Sequence, residues 1–161
     1  MRIKNRGMML ESIINKTIKF YSKNEIALFH KKELNISFSH IKEEQGKLKI
    51  NNGRIKTKST ADYYGIHNGK FIAFEAKSTL LTSLPIVNIK EHQINYLDKI
   101  ITHGGISFFI VCFQKYDEYF IIKPNIIRNL DRKSLSIDTA RNEGIKMEFI
   151  FPGILDFLKL I

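Results

Sequence analysis

The 161-residue chain holds a single cysteine, so no disulfide can form within it and its core must come from side-chain packing. That residue, Cys112, sits in Phe108-Phe109-Ile110-Val111-Cys112-Phe113 and reads as a buried small hydrophobe rather than a reactive thiol. Long apolar runs are missing too. The longest, residues 106–113, includes Ser107 and falls far short of the roughly 20 residues a membrane-spanning helix needs. Residues 1–7 are charged and the apolar positions after them are spaced, unlike a secretory leader, which leads to the expectation of a cytoplasmic protein with no membrane partner. The five histidines show no metal-ligand spacing. No repeat and no linker divides the chain, which reads as one domain over residues 1–161.

Acidic residues are scarce in one half only. Lysine and arginine outnumber aspartate and glutamate 26 to 16, a net charge of +10. Through Lys58 there are 14 basic against 5 acidic residues, and from Ser59 onward 12 against 11. The excess is therefore an N-terminal field, which suits a polyanionic partner. A hydrophobic content of 43% with 11% aromatics excludes general disorder.

Leu10, Ile13, Ile14, Thr17, Ile18 and Tyr21 follow the spacing of one helical face. Residues 26–32 read as a strand. Residues 37–58 then lose periodicity and are long for a connection. A protruding hairpin is expected there, with 47–50 and 54–57 alternating around Asn51-Asn52-Gly53. Asn68-Gly69 predicts a second, two-residue hairpin turn. Ile89, Gln93, Leu97 and Ile100 share a helical face that His103-Gly104-Gly105 ends, and strands over 106–113 and 118–123 follow. Strands interleaved with helices make an α/β domain.

A turn at Asn68-Gly69 sets Asp62 opposite Glu75 and Thr60 opposite Lys77, all on one face because strand side chains alternate. Facing carboxylates repel unless a cation lies between them, and a hard divalent ion such as Mg²⁺ suits them. Lys77 adds a positive charge where a phosphate or an attacking water would sit. The plainer reading of the trio is a solvated salt cluster.

The same residues carry a resemblance. Asn5-Arg6-Gly7-Met8 with Glu11, His30-Lys31-Lys32, Ser59-Thr60-x-Asp62-Tyr63-x-Gly65-Ile66, Phe74-Glu75-Ala76-Lys77, His92-Gln93 and Gly104-Gly105-Ile106 resemble, in order, the RecU-type Holliday junction resolvases. The resemblance implies a restriction-endonuclease-like core, a central mixed β-sheet flanked by helices, with a protruding basic stalk between early strands. It implies a homodimer that resolves four-way DNA junctions by symmetric nicking with Mg²⁺, Mn²⁺ being able to substitute, during homologous recombination and DNA repair. Thr60, Asp62, Glu75 and Gln93 match its metal-site positions and Lys77 its transition-state stabiliser. Ala61 departs from the threonine usual before the aspartate, and the segment between Glu75 and Gln93 is about one residue short. Glu11 is a candidate accessory acid, against a first-turn acid that only complements the helix dipole.

Arg2, Lys4 and Arg6 form a basic arm over residues 1–7. The stalk, about residues 38–58, would be lined by Lys42, Lys47, Lys49, Arg54, Lys56 and Lys58. Phosphate contacts of this kind give affinity without reading sequence, so shape should decide recognition. Two rivals stand beside this reading: a nuclease of the same core acting on duplex or flapped DNA, and a basic nucleic-acid-binding protein without catalysis. The sequence leaves open whether a recombinase or branch-migration protein is a further partner.

Overall fold

Helix α1 (Met8–Lys23) forms where the apolar stripe predicts it and buries Leu10, Ile14, Thr17 and Tyr21. The computed structural model describes residues 8–33, 36–38, 40–51, 53–55 and 60–161. The arm residues Arg2, Lys4 and Arg6, and Lys56 and Lys58 of the stalk, lie outside the described residues.

After α1 come β1 (Leu28–Lys31), four short strands treated below, β6 (Tyr63–His67) and β7 (Lys70–Thr79). Strand β8 (Ser83–Pro85), α2 (Glu91–Thr102), β9 (Ile106–Phe113) and β10 (Glu118–Ile122) follow. The chain continues through α3 (Pro124–Arg128), β11 (Ser134–Ser136), α4 (Ile137–Glu143), β12 (Ile145–Met147), β13 (Phe149–Ile150) and β14 (Ile154–Leu155). A six-stranded mixed sheet runs β1-β6-β7-β9-β10-β12, with only β7 and β9 parallel. No described helix is long and apolar enough to cross a membrane.

The turn between β6 and β7 is the expected one. Asn68 and Gly69 have φ of 48° and 74°, the left-handed pair a two-residue hairpin requires. The ladder registers Tyr63 with Phe74 and His67 with Lys70.

Alternation along β7 and β9 divides the core. On the α1 face, Tyr63, Phe74 and Phe108 stack in a row across three strands, with centroids 5.0 and 5.1 Å apart. Phe157, from the 3₁₀ turn Phe157–Leu160, closes this cluster against Tyr21, Phe29, Phe74 and Phe108. On the other face Ala73, Phe109 and Val111 pack with Leu97, Ile94 and Ile100 of α2. Cys112 is buried on the α1 face, and burial pushes its thiol up to about 11, as expected of an inert residue.

The excursion between β1 and β6 is a hairpin, but its turn differs from the expected one. Strand β3 (His40–Glu44) pairs with β4 (Lys47–Asn51) around Gln45-Gly46, where φ is 54° and 71°. Of the expected turn, Asn51 ends β4, Asn52 lies outside the described residues, and Gly53 precedes β5 (Arg54–Ile55), which pairs back to β2 (Ile36–Ser37). The physical reason is pairing length: a turn at Gln45-Gly46 lets five residues on each side pair, from His40↔Asn51 to Glu44↔Lys47.

Candidate metal centre

Glu75 sits in mid-strand β7, on the face that looks toward α2. Its neighbours make it costly there. Ala73 precedes it on the same face, and Phe109 lies beside it in the parallel register with β9. The residue is fully buried, and neither carboxylate oxygen has a hydrogen-bond partner among the described residues. Lys77 Nζ lies 3.2 Å from Oε2, near enough to pair in charge but not in hydrogen-bond geometry. Burial first, and the Asp62 charge second, raise the carboxyl to about 8, while Lys77 draws it down.

Asp62 falls one residue before β6, so the ladder stops short of the expected Asp62–Glu75 pair. Two bonds fix it in place regardless. Its backbone carbonyl accepts from Lys32 N–H at 2.7 Å, and its Oδ2 accepts from Ala76 N–H at 3.0 Å. The second bond brings the carboxylate against the Glu75-Ala76 peptide, which explains the charge felt at Glu75.

The other candidates are placed with different company. The Thr60 hydroxyl accepts from Lys32 Nζ at 2.5 Å. Gln93 is buried at the start of α2, and its Oε1 accepts from Lys90 N–H at 3.1 Å, capping its own helix. Since β9 begins beside Ile72, the β7-α2-β9 crossover puts the C-terminus of α2 at that end and Gln93 at the Lys77–Thr79 end. Glu11 is half exposed and ion-paired to Lys31 at 2.6 Å. Its charge, after burial, holds the Tyr63 phenol well above its usual range, and that phenol donates to Asn15 Oδ1 at 3.1 Å.

Lys32 is named by sequence reasoning within a motif but given no role at the site. It binds both Thr60 and the Asp62 carbonyl, and the available signal was its place just past β1, opposite the approach to β6. Among the described residues no three His, Cys, Asp or Glu side chains gather into a metal cage. The Asp62–Glu75 pair is nonetheless suited to a hard cation, because Glu75 presents two buried oxygens that no described residue hydrogen-bonds, beside a second carboxylate.

A family model described as "RecU: Recombination protein U" matches residues 5–161. The chain belongs to the RecU family. Among RecU relatives, the "Holliday junction resolvase RecU" of Mycoplasmopsis pulmonis is 40% identical over 155 residues, covering 96% of this chain and 92% of its own length. That of Ureaplasma parvum is 38% identical, covering 100% of this chain and 94% of its own. The solved structure of Archaeoglobus fulgidus Hjc, a Holliday junction resolvase, matches with a TM-score of 0.52 at 6% identity, over 84% of this chain and 94% of that one. The RecU chain and Hjc thus share a fold, the restriction-endonuclease-like one.

Proposed function

We propose that the chain is a Mg²⁺-dependent endonuclease that resolves four-way DNA junctions by symmetric nicks, as a homodimer, in recombination and repair. The observation that carries this is Glu75: a fully buried carboxylate without a hydrogen-bond partner among the described residues, beside Asp62 and the charge of Lys77, in a RecU-family chain whose relatives are named for the activity. A protein that needed these residues only as a salt cluster would have left them in water.

Asp62 and Glu75 would hold the divalent ion, with Thr60 and Gln93 released from Lys32 and Lys90 to complete its surroundings; when bound, the ion supplies neutralisation of charge at the phosphoryl oxygens. Lys77 offers a cation, 17% exposed, that can approach the scissile phosphate and steady the attacking water. Asp62 keeps its position through the Ala76 amide, so the carboxylate is aimed before substrate arrives. Glu11, tied to Lys31, would serve as the accessory acid. Mn²⁺ is expected to replace Mg²⁺ because both accept oxygen ligands.

The stalk supplies grip. Lys42 and Lys49 face each other directly across β3 and β4, and although Glu44 pairs with Lys49, the face keeps a basic excess with Lys47 that a phosphate can engage. Its other face is exposed and mostly apolar, with Ile41 and Ile50 paired and Leu48 opposite Glu43. A second exposed apolar area crosses the sheet, where Leu28 registers with Ile66 and Ile66 with Phe71, and Tyr64 stacks on Phe71. Uncharged surface in a chain of net charge +10 suits a protein partner better than DNA, and a second copy supplies the second active site that two nicks demand.

Replacing Asp62 with Asn or Glu75 with Gln should lower nicking of a synthetic four-way junction by at least roughly 10²-fold while binding persists. Full-rate cutting by either variant in Mg²⁺ would remove the mechanism. A matched linear duplex and a flapped duplex run alongside separate the two rival readings.

A further inference from the structure

Directly after Lys77 the chain runs twelve residues, 78–89, without a charged side chain, although 26% of all residues are charged. This segment joins the two halves of the candidate site, completing β7 at Thr79 and ending two residues before α2, which carries Gln93. Its tip is apolar and outside the core: Leu80 is 47% and Leu81 58% exposed.

The tip is also held stiffly. The buried Thr79 hydroxyl accepts from Leu81 N–H at 3.1 Å and donates to Ser83 C=O at 3.2 Å, closing a tight loop on itself. Gln114 N–H binds Thr79 C=O at 2.9 Å and Ile137 N–H binds Thr82 C=O at 2.9 Å. Strand β8, which follows, pairs with β11 and buries Leu84. Two leucines are thereby held outward on a braced backbone that cannot fold them into the core. Stiffness matters, because a wedge must stay extended when it meets resistance.

We propose that Leu80 and Leu81 form an apolar wedge that presses against the base faces flanking the scissile phosphate. This rests on the active site proposed above, since a backbone presented to Lys77 and Glu75 passes beside the loop that follows them. Apolar side chains at such points partly unstack a base step, and the cost is smallest where stacking is already interrupted, as at the branch of a four-way junction. Leu80 and Leu81 are thus specificity-determining residues, selecting branched over continuous DNA by the ease of unstacking. The Lys42 and Lys49 face of the stalk contributes grip, and the wedge contributes discrimination at the cut itself.

The test uses the full chain and a four-way junction carrying 2-aminopurine beside the scissile step, with Ca²⁺ in place of Mg²⁺ for the fluorescence arm. Wild type should raise the fluorescence, and the double variant Leu80→Ser, Leu81→Ser should not. In Mg²⁺ under single turnover at saturating protein the serine variant should cut about tenfold more slowly. An abasic site at the same step should restore its rate, and Leu80→Met with Leu81→Met should stay near wild type. Equal rates for wild type and serine variant, or a slow variant that the abasic substrate does not rescue, would overturn the wedge and assign the leucines to a protein partner or to loop structure. Failure of wild type to nick at all would instead strike the underlying active site.

Discussion

Glu75 joins burial to function through its proton. Its carboxyl, raised to about 8 in the fold, keeps the proton at pH values where an unfolded chain, with the ordinary 4.5, has released it. Its stabilising contribution is therefore complete below about pH 4.5 and is lost as pH climbs toward 8, because over that window the native state binds more protons. A divalent ion takes only the ionised form, so metal protection should grow across the same window. Thermal unfolding of metal-free wild type should show falling stability from about pH 5 to pH 8, with Glu75→Gln flatter, and Mg²⁺ should raise the wild-type midpoint more at about pH 8 than at pH 6. Parallel curves for the two proteins would contradict this. The sequence contained the trio and its shared face, since strand alternation and an Asn-Gly turn are local rules. It did not contain the burial, which comes from Phe109 and α2, brought over by a crossover that no local rule predicts.

At the scale of elements, the two hairpins make an instructive pair. Asn68-Gly69 was readable because flanking strands alternate cleanly and the left-handed pair has its preferred residues. In the stalk the β3–β4 turn is at Gln45-Gly46, a pair that local preference ranks below an Asn-Gly dipeptide. A longer ladder outweighed local turn preference, a tertiary gain invisible residue by residue. The corrected register gives a cleaner dissection than cutting within the loop. Since Ser37 pairs with Arg54, residues 38–53 can be replaced by an Asn-Gly turn that joins β2 directly to β5. That protein should keep its melting behaviour and its metal response while losing four-way junction affinity far more than duplex affinity in a gel-shift titration. An equal fall on both substrates would make the stalk a nonspecific anchor. Lys42→Ala and Lys49→Ala should each flatten the salt dependence of binding by roughly one counterion.

For the whole molecule, the six-stranded sheet is covered on its α1 face and left bare at one end of the other, where Leu28, Tyr64, Ile66 and Phe71 lie. If a second copy covers that end, Leu28→Asp with Ile66→Lys should yield monomers in sedimentation. On a supercoiled plasmid with an extruded cruciform, wild type should give linear product from paired cuts and the variant nicked circles. A variant that stays dimeric would place the interface elsewhere. Part of the charge asymmetry has a place in the fold, since Lys42, Lys47 and Lys49 stand on β3 and β4 and Arg54 on β5, apart from the six-stranded sheet that carries Glu75. The closing of the aromatic cluster by Phe157 has a consequence for the protein's birth. On the ribosome Phe29 and Tyr63 emerge before Phe74 and can pack on it at once, whereas Phe108 and Phe157 come later, so the strand that carries Glu75 gains the last rings of its cluster well after it has itself been made. Chains cut short before Phe157 should therefore offer proteases a looser sheet than the finished cluster does.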